Sequence, residues 1–168
     1  MPDHPVDWDD PVIIPELDTS FDVLLAPFDG SHAAELALAH ADRVALATGG
    51  EIVVVVAYDP PVTVRRRGIL EVEHERISQE AEASALAEES ASILVARGRA
   101  ARAVVVRGEP IEAILETAES EHADLILMGR RGLGSEISKG LPFLRDLRTG
   151  SVAEKVARHA SVPVLLVG

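Results

Sequence analysis

No cysteine occurs in the chain, which excludes disulfide bridges, thiolate metal sites and a cysteine nucleophile together. Lysine is nearly missing as well: Lys139 and Lys155 are the only two, and every other basic side chain is arginine. Aromatic residues make up 3% of a chain that is 47% apolar, so the core has to be assembled from Val, Leu, Ile and Ala. That mix suits helices packed on a parallel sheet better than an aromatic-rich β-sandwich. Positive charge is scarce, with 16 Lys and Arg against 28 Asp and Glu and a formal net charge of −12. Such a surface disfavours nonspecific binding to nucleic acid or anionic lipid. No apolar run reaches the roughly 18–20 residues that a membrane-crossing helix needs, and the N-terminal MPDHPVDWDD lacks the basic and apolar regions of a secretory signal. A cytoplasmic protein with neither membrane nor nucleic-acid partners is expected. Its acidic, lysine-poor, Ala- and Val-rich composition fits a salt-loving cell, where a hydrated acidic surface keeps proteins soluble; a GC-rich genome accounts for it equally well.

The length, 168 residues, is right for one domain with a proper core. Residues 1–20 stand apart, carrying Pro2, Pro5, Pro11 and Pro15, six acidic residues and no Lys or Arg. The stretch reads as a flexible acidic arm that folding does not require, although Trp8, Val12, Ile13 and Ile14 offer a short extended strand something to dock with. From residue 21 to 168 strands and helices alternate. Phe21–Phe28, Glu51–Tyr58, Arg102–Arg107, Asp124–Met128 and Val162–Val167 are short apolar runs. Between them, helical spacing covers 32–48, 71–97, Glu109–Glu121 and 150–160. Gly49-Gly50 stops the first of these, and Pro110 suits the first turn of the third. Strand–helix alternation of this kind implies an α/β fold with a doubly wound, five-stranded parallel sheet and four helices. Such sheets bind ligands at the carboxyl ends of strands where the winding reverses, which directs attention to the loops Pro27–Ser31 and Gly129–Ser151.

Those loops hold the residues with chemistry to offer. Glycines at a strand end, Gly129 and Gly132, let backbone N–H groups approach an anion without a Cβ in the way. Gly150-Ser151-Val152-Ala153-Glu154 opens a helix, with Ser151 where an N-cap belongs and Glu154 three residues on, as in a capping box. The free N–H groups and positive dipole end of that helix favour phosphate. A tight turn followed by an ordinary helix cap would leave the same residues. Arg130 and Arg131, between the two glycines, either meet a ligand's negative charge or balance neighbouring carboxylates. Arg145 and Arg148 are more distant candidates for the same task, and Arg65-Arg66-Arg67 reads as a solvated or dimer-rim run.

Taken together, VLLAPFDGS, EIVVVVAYDP, VVVRGEPIEAILETAESEHADLILMGRRG and TGSVAEKVARHASVPVLLVG resemble the universal stress protein family over residues 21–168. The resemblance implies strand order 3-2-1-4-5, an adenine nucleotide alpha hydrolase-like sheet, a homodimer and, in one subgroup, bound ATP. The subgroup's motif is Gly, two residues, Gly, nine residues, then Gly with Ser or Thr. By that resemblance Gly129, Gly132, Gly150 and Ser151 contact ribose and phosphates, with Arg130 and Val152 beside them. Asp29, flanked by Pro27 and Ser31, falls at the base and ribose, and Ala57 where an apolar residue packs on adenine. Mg²⁺ or Mn²⁺ would be held mainly by the phosphates. The last strand, Val162–Val167, apolar and at the sheet edge in that order, would form the dimer, and a further protein partner of unknown identity would read its state. One departure stands out: seventeen residues, 133 to 149, separate Gly132 from Gly150 where the motif has nine. A longer loop closes at little extra entropy, so the halves can still meet; it can equally cover the pocket or draw Gly129 from Ser151, leaving a member that works through dimerisation and partner contacts without nucleotide.

Signals for an enzyme are few. His4, His32, His40, His74, His122 and His159 are scattered, with neither an i,i+4 pair nor HExxH, so no protein-built metal site is expected. HIGH-like, SGGxDS and GxxxxGK[ST] motifs are absent from the sequence. Asp29 and Ser31 have no base nearby to complete a hydrolase triad. Slow ATP turnover is the most that this set of residues suggests.

Overall fold

The computed structural model describes residues 20–58, 69–131 and 151–168, with residues 69–76 and Ser151 described by backbone alone. The arm up to residue 19, the Arg65-Arg66-Arg67 loop and the stretch from Gly132 to Gly150 lie outside the described residues. In chain order the elements are β1 (Val23–Pro27), α1 (His32–Thr48), β2 (Glu51–Tyr58), α2 (Ile69–Ala96), β3 (Ala101–Arg107), α3 (Pro110–Ser120), β4 (Leu125–Gly129), α4 (Ser151–His159) and β5 (Val164–Val167). The strands form one sheet in the order β3-β2-β1-β4-β5, and every pair is parallel.

Period-two alternation decides which helix covers which side. Leu24, Ala26, Ile52, Val54, Leu125 and Leu127 face Ala41 and Ala45 of α1 and Ala91 and Leu94 of α2. Leu25, Val53, Val55, Ile126 and Met128 face Ile114 and Ala118 of α3 and Ala153 and Val156 of α4. The strands are therefore apolar on both sides, as the run EIVVVVAY predicts. Each fully buried Leu or Ile contributes about 1.5–3 kcal/mol. On α1 the buried positions are mostly alanines (Ala34, Ala37, Ala41 and Ala45), and that stripe of small side chains lets the helix lie close to the sheet.

Boundaries shift where backbone groups have other work. Asp124 stops short of β4 because its carboxylate Oδ2 accepts the Asp22 and Val23 N–H groups, both at 2.9 Å, fixing β1 against β4. β5 starts at Val164, two residues after the expected start, because Pro163 has no N–H to donate; its carbonyl accepts the Ile126 N–H at 3.0 Å. Helix α2 begins at Ile69, two residues before the expected position. Glu109 is the N-cap of α3, accepting from Ile111 and Glu112, with Pro110 next. The two glycines after α1 do different things. Gly49 takes the left-handed conformation (φ 81°) and donates to the Ala45 carbonyl, while a Cβ on Gly50 would sit 2.1 Å from the Phe21 carbonyl oxygen. The first ends the helix; the second lets the incoming chain pass.

One buried carboxylate joins distant segments. Asp42 of α1 is 5% exposed and accepts from Arg97 Nη2 at 2.7 Å, Arg97 Nε at 3.0 Å and Arg99 Nε at 2.8 Å. It thereby pins the α2–β3 turn to α1. Hydrogen bonding from Arg97 holds its carboxyl below the usual carboxylate range, against the opposing effect of burial. At the other side of β3, Arg102 pairs with Glu51 and with Glu121. The bond to Glu121 raises the guanidinium and lowers the Glu121 carboxyl.

Asp42→Ala should lose about 2–3 kcal/mol of stability at pH 7, because Arg99 is left in a poorly hydrated site without its partner. A depressed folded-state pKa stabilises above the unfolded value, about 3.9, and that stabilisation is lost as pH falls through the folded value. Urea unfolding of wild type and Asp42→Ala should accordingly show a gap at pH 7 that narrows below about pH 4. A gap unchanged down to pH 2.5 or so would contradict the ion-pair origin.

Candidate functional site

Winding reverses at β1. Its neighbour β2 leads to α2 on one face, while its other neighbour β4 leads to α4 on the opposite face. The helices leaving β1 and β4 thus diverge, and their strand ends border a crevice. On the β1 side, Pro27 ends the strand in register with Val55, and the Phe28 N–H donates to the Val55 carbonyl at 2.9 Å. Asp29-Gly30-Ser31 then makes the turn. Asp29 Oδ1 accepts the Ser31 N–H at 3.0 Å, and the buried Ser31 hydroxyl accepts the Ala34 N–H at 3.2 Å as the N-cap of α1. Gly30 takes a positive φ of 75°, with Leu86 of α2 3.8 Å from where a Cβ would lie. Ala57, half-buried near the end of β2, is in register with Val106.

The β4 side meets this turn directly. A Cβ on Gly129 would lie 2.8 Å from the Ala33 carbonyl carbon and 2.9 Å from both Ala33 Cβ and Ala34 N. The first turn of α1 therefore rests on the end of β4. Glycine at 129 has a packing cause in addition to the anion-approach role that its place in the motif suggests. Arg130 follows at the rim, its N–H donating to the Val167 carbonyl of β5 at 2.8 Å.

The structure thus brings together Pro27, Asp29, Ser31, Ala57, Gly129 and Arg130 at the carboxyl ends of the three central strands. Gly132 and Gly150 lie outside the described residues. Ser151 is the first residue of α4, a correction of one position to the N-cap reading, since Ser151 has joined the first turn that it was expected to precede. Such one-residue shifts are ordinary at helix ends. The side chain of Val152 packs with the core beneath α3 and α4, leaving its backbone as the part that faces the helix opening. Among the described residues no three His, Cys, Asp or Glu side chains gather as a metal site, and no helix is long and apolar enough to cross a membrane.

Comparison with known proteins bears on this arrangement. The universal stress protein family is matched over residues 20–168. The chain belongs to that family. A universal stress protein from Thermus aquaticus is 38% identical over 147 residues, covering 88% of this chain and 98% of the relative. Among solved structures, universal stress protein MJ0577 of Methanocaldococcus jannaschii is 29% identical with a TM-score of 0.70, covering 89% of this chain and 96% of the other. Another, a universal stress protein in complex with cAMP, is 25% identical with a TM-score of 0.63, covering 89% and 98%.

The residues that sequence reading missed here are positional. Ala33 carried no signal as a partner of Gly129, because an alanine in an alanine-rich helix looks like any other. Leu86 was visible only as one apolar residue of a long helix.

Gly129→Ala should destabilise the fold by about 1–3 kcal/mol, since the atoms it meets are mostly backbone and α1 has to shift. Gly98, with φ 79° and open space around it, should cost only about 1 kcal/mol when replaced by alanine. Urea midpoints of the two variants should rank in that order; equal midpoints would mean that the α1–β4 contact yields without resistance.

Proposed function

We propose that this universal stress protein binds an adenine nucleotide, ATP in the first instance, in the crevice at the carboxyl ends of β1, β2 and β4. The observation that carries the reading is the meeting of the first turn of α1, which follows Asp29-Gly30-Ser31, with the end of β4 at Gly129, which supports a ligand at the edge where the residues matched to the family's base position and to the first glycine of its nucleotide motif come together. The complex of a 25% identical member with cAMP supports the same ligand class. In this reading the base lies near Asp29 and Ala57. The phosphates lie against the backbone of Gly129, Gly132, Gly150 and Ser151, where the opening turn of α4 supplies N–H groups and a positive dipole end. Arg130 adds a cation at the rim, useful in a chain of net charge −12. A divalent ion, Mg²⁺ or Mn²⁺, would be bound through the phosphates. Among the described residues of the cleft none stands out as a nucleophile or general base, and the site is read as a binding module of a cytoplasmic stress response.

A second reading, a member that does not bind nucleotide, has one observation in its favour: the seventeen residues between Gly132 and Gly150. Calorimetry with ATP and Mg²⁺ separates the two. Wild type should bind, and Gly132→Val should bind at least about a hundredfold more weakly, because two or three charge-assisted hydrogen bonds at about 1.5–3 kcal/mol each are lost. No heat with wild type favours the nucleotide-blind reading. Equal affinities for both proteins would mean that the phosphates lie elsewhere.

The partner is proposed to be a second copy, joined through β5. That strand is an edge of the sheet, carries no charge over Val164–Val167, and exposes Leu165 and Leu166 by 39% and 37%. Bare apolar edges of this kind pair with another strand. Light scattering should give a dimer mass in low and in molar salt, falling to the monomer mass in Leu166→Lys; a wild-type monomer at high concentration would remove the proposal.

A further inference from the structure

We infer that the Asp29-Gly30 bond is a site of spontaneous modification, at which the folded chain converts Asp29 to isoaspartate. This inference stands apart from the nucleotide reading, although the bond lies at the same strand ends. The sequence isolates the position. The chain contains no asparagine, and Asp29-Gly30 is its only Asp-Gly pair. Every other aspartate is followed by His, Trp, Asp, Pro, Thr, Val, Arg or Leu, whose side chains shield the next backbone nitrogen or, in proline, remove its proton. Glycine has no Cβ to do so, which leaves the nitrogen after Asp29 the freest to attack the preceding carboxyl.

The fold adds three circumstances. Gly30 is exposed, in the connection between β1 and α1. A Cβ placed on it would meet the Leu86 methyl carbons at 3.8 and 3.9 Å and nothing closer, so no tight wall holds the turn still. Asp29 Oδ1 accepts the Ser31 N–H at 3.0 Å, and the ring closed by that bond contains both Asp29 Cγ and the Gly30 nitrogen. The carboxyl is thereby folded back along the stretch of backbone that would attack it. Asp42 and Asp124 are placed differently: the first is buried between Arg97 and Arg99, and the second holds the Asp22 and Val23 N–H groups at the edge of the sheet.

The chemistry balances without a cofactor. The Gly30 nitrogen bonds to Asp29 Cγ, and the amide proton leaves with the carboxyl hydroxyl as water, closing a cyclic imide. A returning water adds to the main-chain carbonyl carbon of Asp29 and breaks its bond to the Gly30 nitrogen, which regains a proton. The chain then continues through Cγ, the old carbonyl carbon is the free carboxylate, and the mass is unchanged. The product has an extra main-chain carbon between residues 29 and 30, so the present Asp29–Ser31 bond is lost. Ser31 is the buried cap of α1, whose first turn rests on Gly129. The change therefore falls where α1 meets the end of β4, and it makes the chain a substrate for enzymes that methylate isoaspartyl carboxylates.

Native protein held for some weeks at physiological temperature and neutral pH, then digested, tests this with an isoaspartyl methyltransferase and labelled S-adenosylmethionine. Methyl groups should accumulate with time in the peptide that contains Asp29, and a protease that cuts before aspartate should cease to cut there. In Asp29→Glu, whose larger ring closes far more slowly, incorporation should fall several-fold. Should that variant fail to fold by circular dichroism, the mapping of the wild-type peptides decides alone. Incorporation no higher than in fresh protein overturns the inference, as does incorporation carried mainly by other aspartates. Incorporation that arises only in protein aged in urea overturns it too, since the fold would then shield Asp29.

Discussion

Burial of β1 on both faces and pairing along both of its edges is the constraint from which the rest of the molecule follows. Leu24 and Leu25 are each fully buried on opposite sides, so helices are required above and below. A chain that begins in the middle of its sheet has to wind outward twice, first to β3 and then to β5. The two windings leave the central strands in different directions, and the gap between their departing loops is where a ligand can enter. The Asp124 carboxylate, holding the first N–H groups of β1, fixes the two central strands at the opposite end. The register of the cleft is thus set from both ends of β1.

Much of this was legible in the sequence because it depends on local repetition. Five apolar runs separated by helical spacing give the layers, and EIVVVVAY, apolar without alternation, identifies a strand covered on both sides. Strand order came from resemblance to a family, since composition and spacing place no strand beside another. What stayed hidden depends on contacts between distant residues. Asp42 looks like any charged residue on an amphipathic helix; only the fold shows it buried with two arginines 55 and 57 positions away. Gly50 reads as part of a helix stop and proves to be the gap through which Phe21 passes. Gly129 reads as a ligand glycine and proves also to be where the first turn of α1 rests on the end of β4.

This double duty shapes how the cleft is to be probed. A residue that both packs and lies in a binding motif answers two questions with one substitution, and the answers cannot be separated by affinity alone. Ser31 is similar, since its hydroxyl caps α1 while its neighbour Asp29 holds its backbone. In this family member the wall of the cleft toward α1 is architectural, since the first turn of that helix rests on the end of β4.

The ion pairs around β3 have one more consequence. The two edges of the sheet are secured unequally: Arg99 just before β3 is tied to α1 and Arg102 within it to β2 and α3, whereas β5 is held by a four-residue ladder to β4 and by its apolar side chains. Amide exchange from such a molecule is not symmetrical. Opening excursions short of global unfolding release the C-terminal strand first and leave the segment from β1 to β3 as the most persistent cooperative unit.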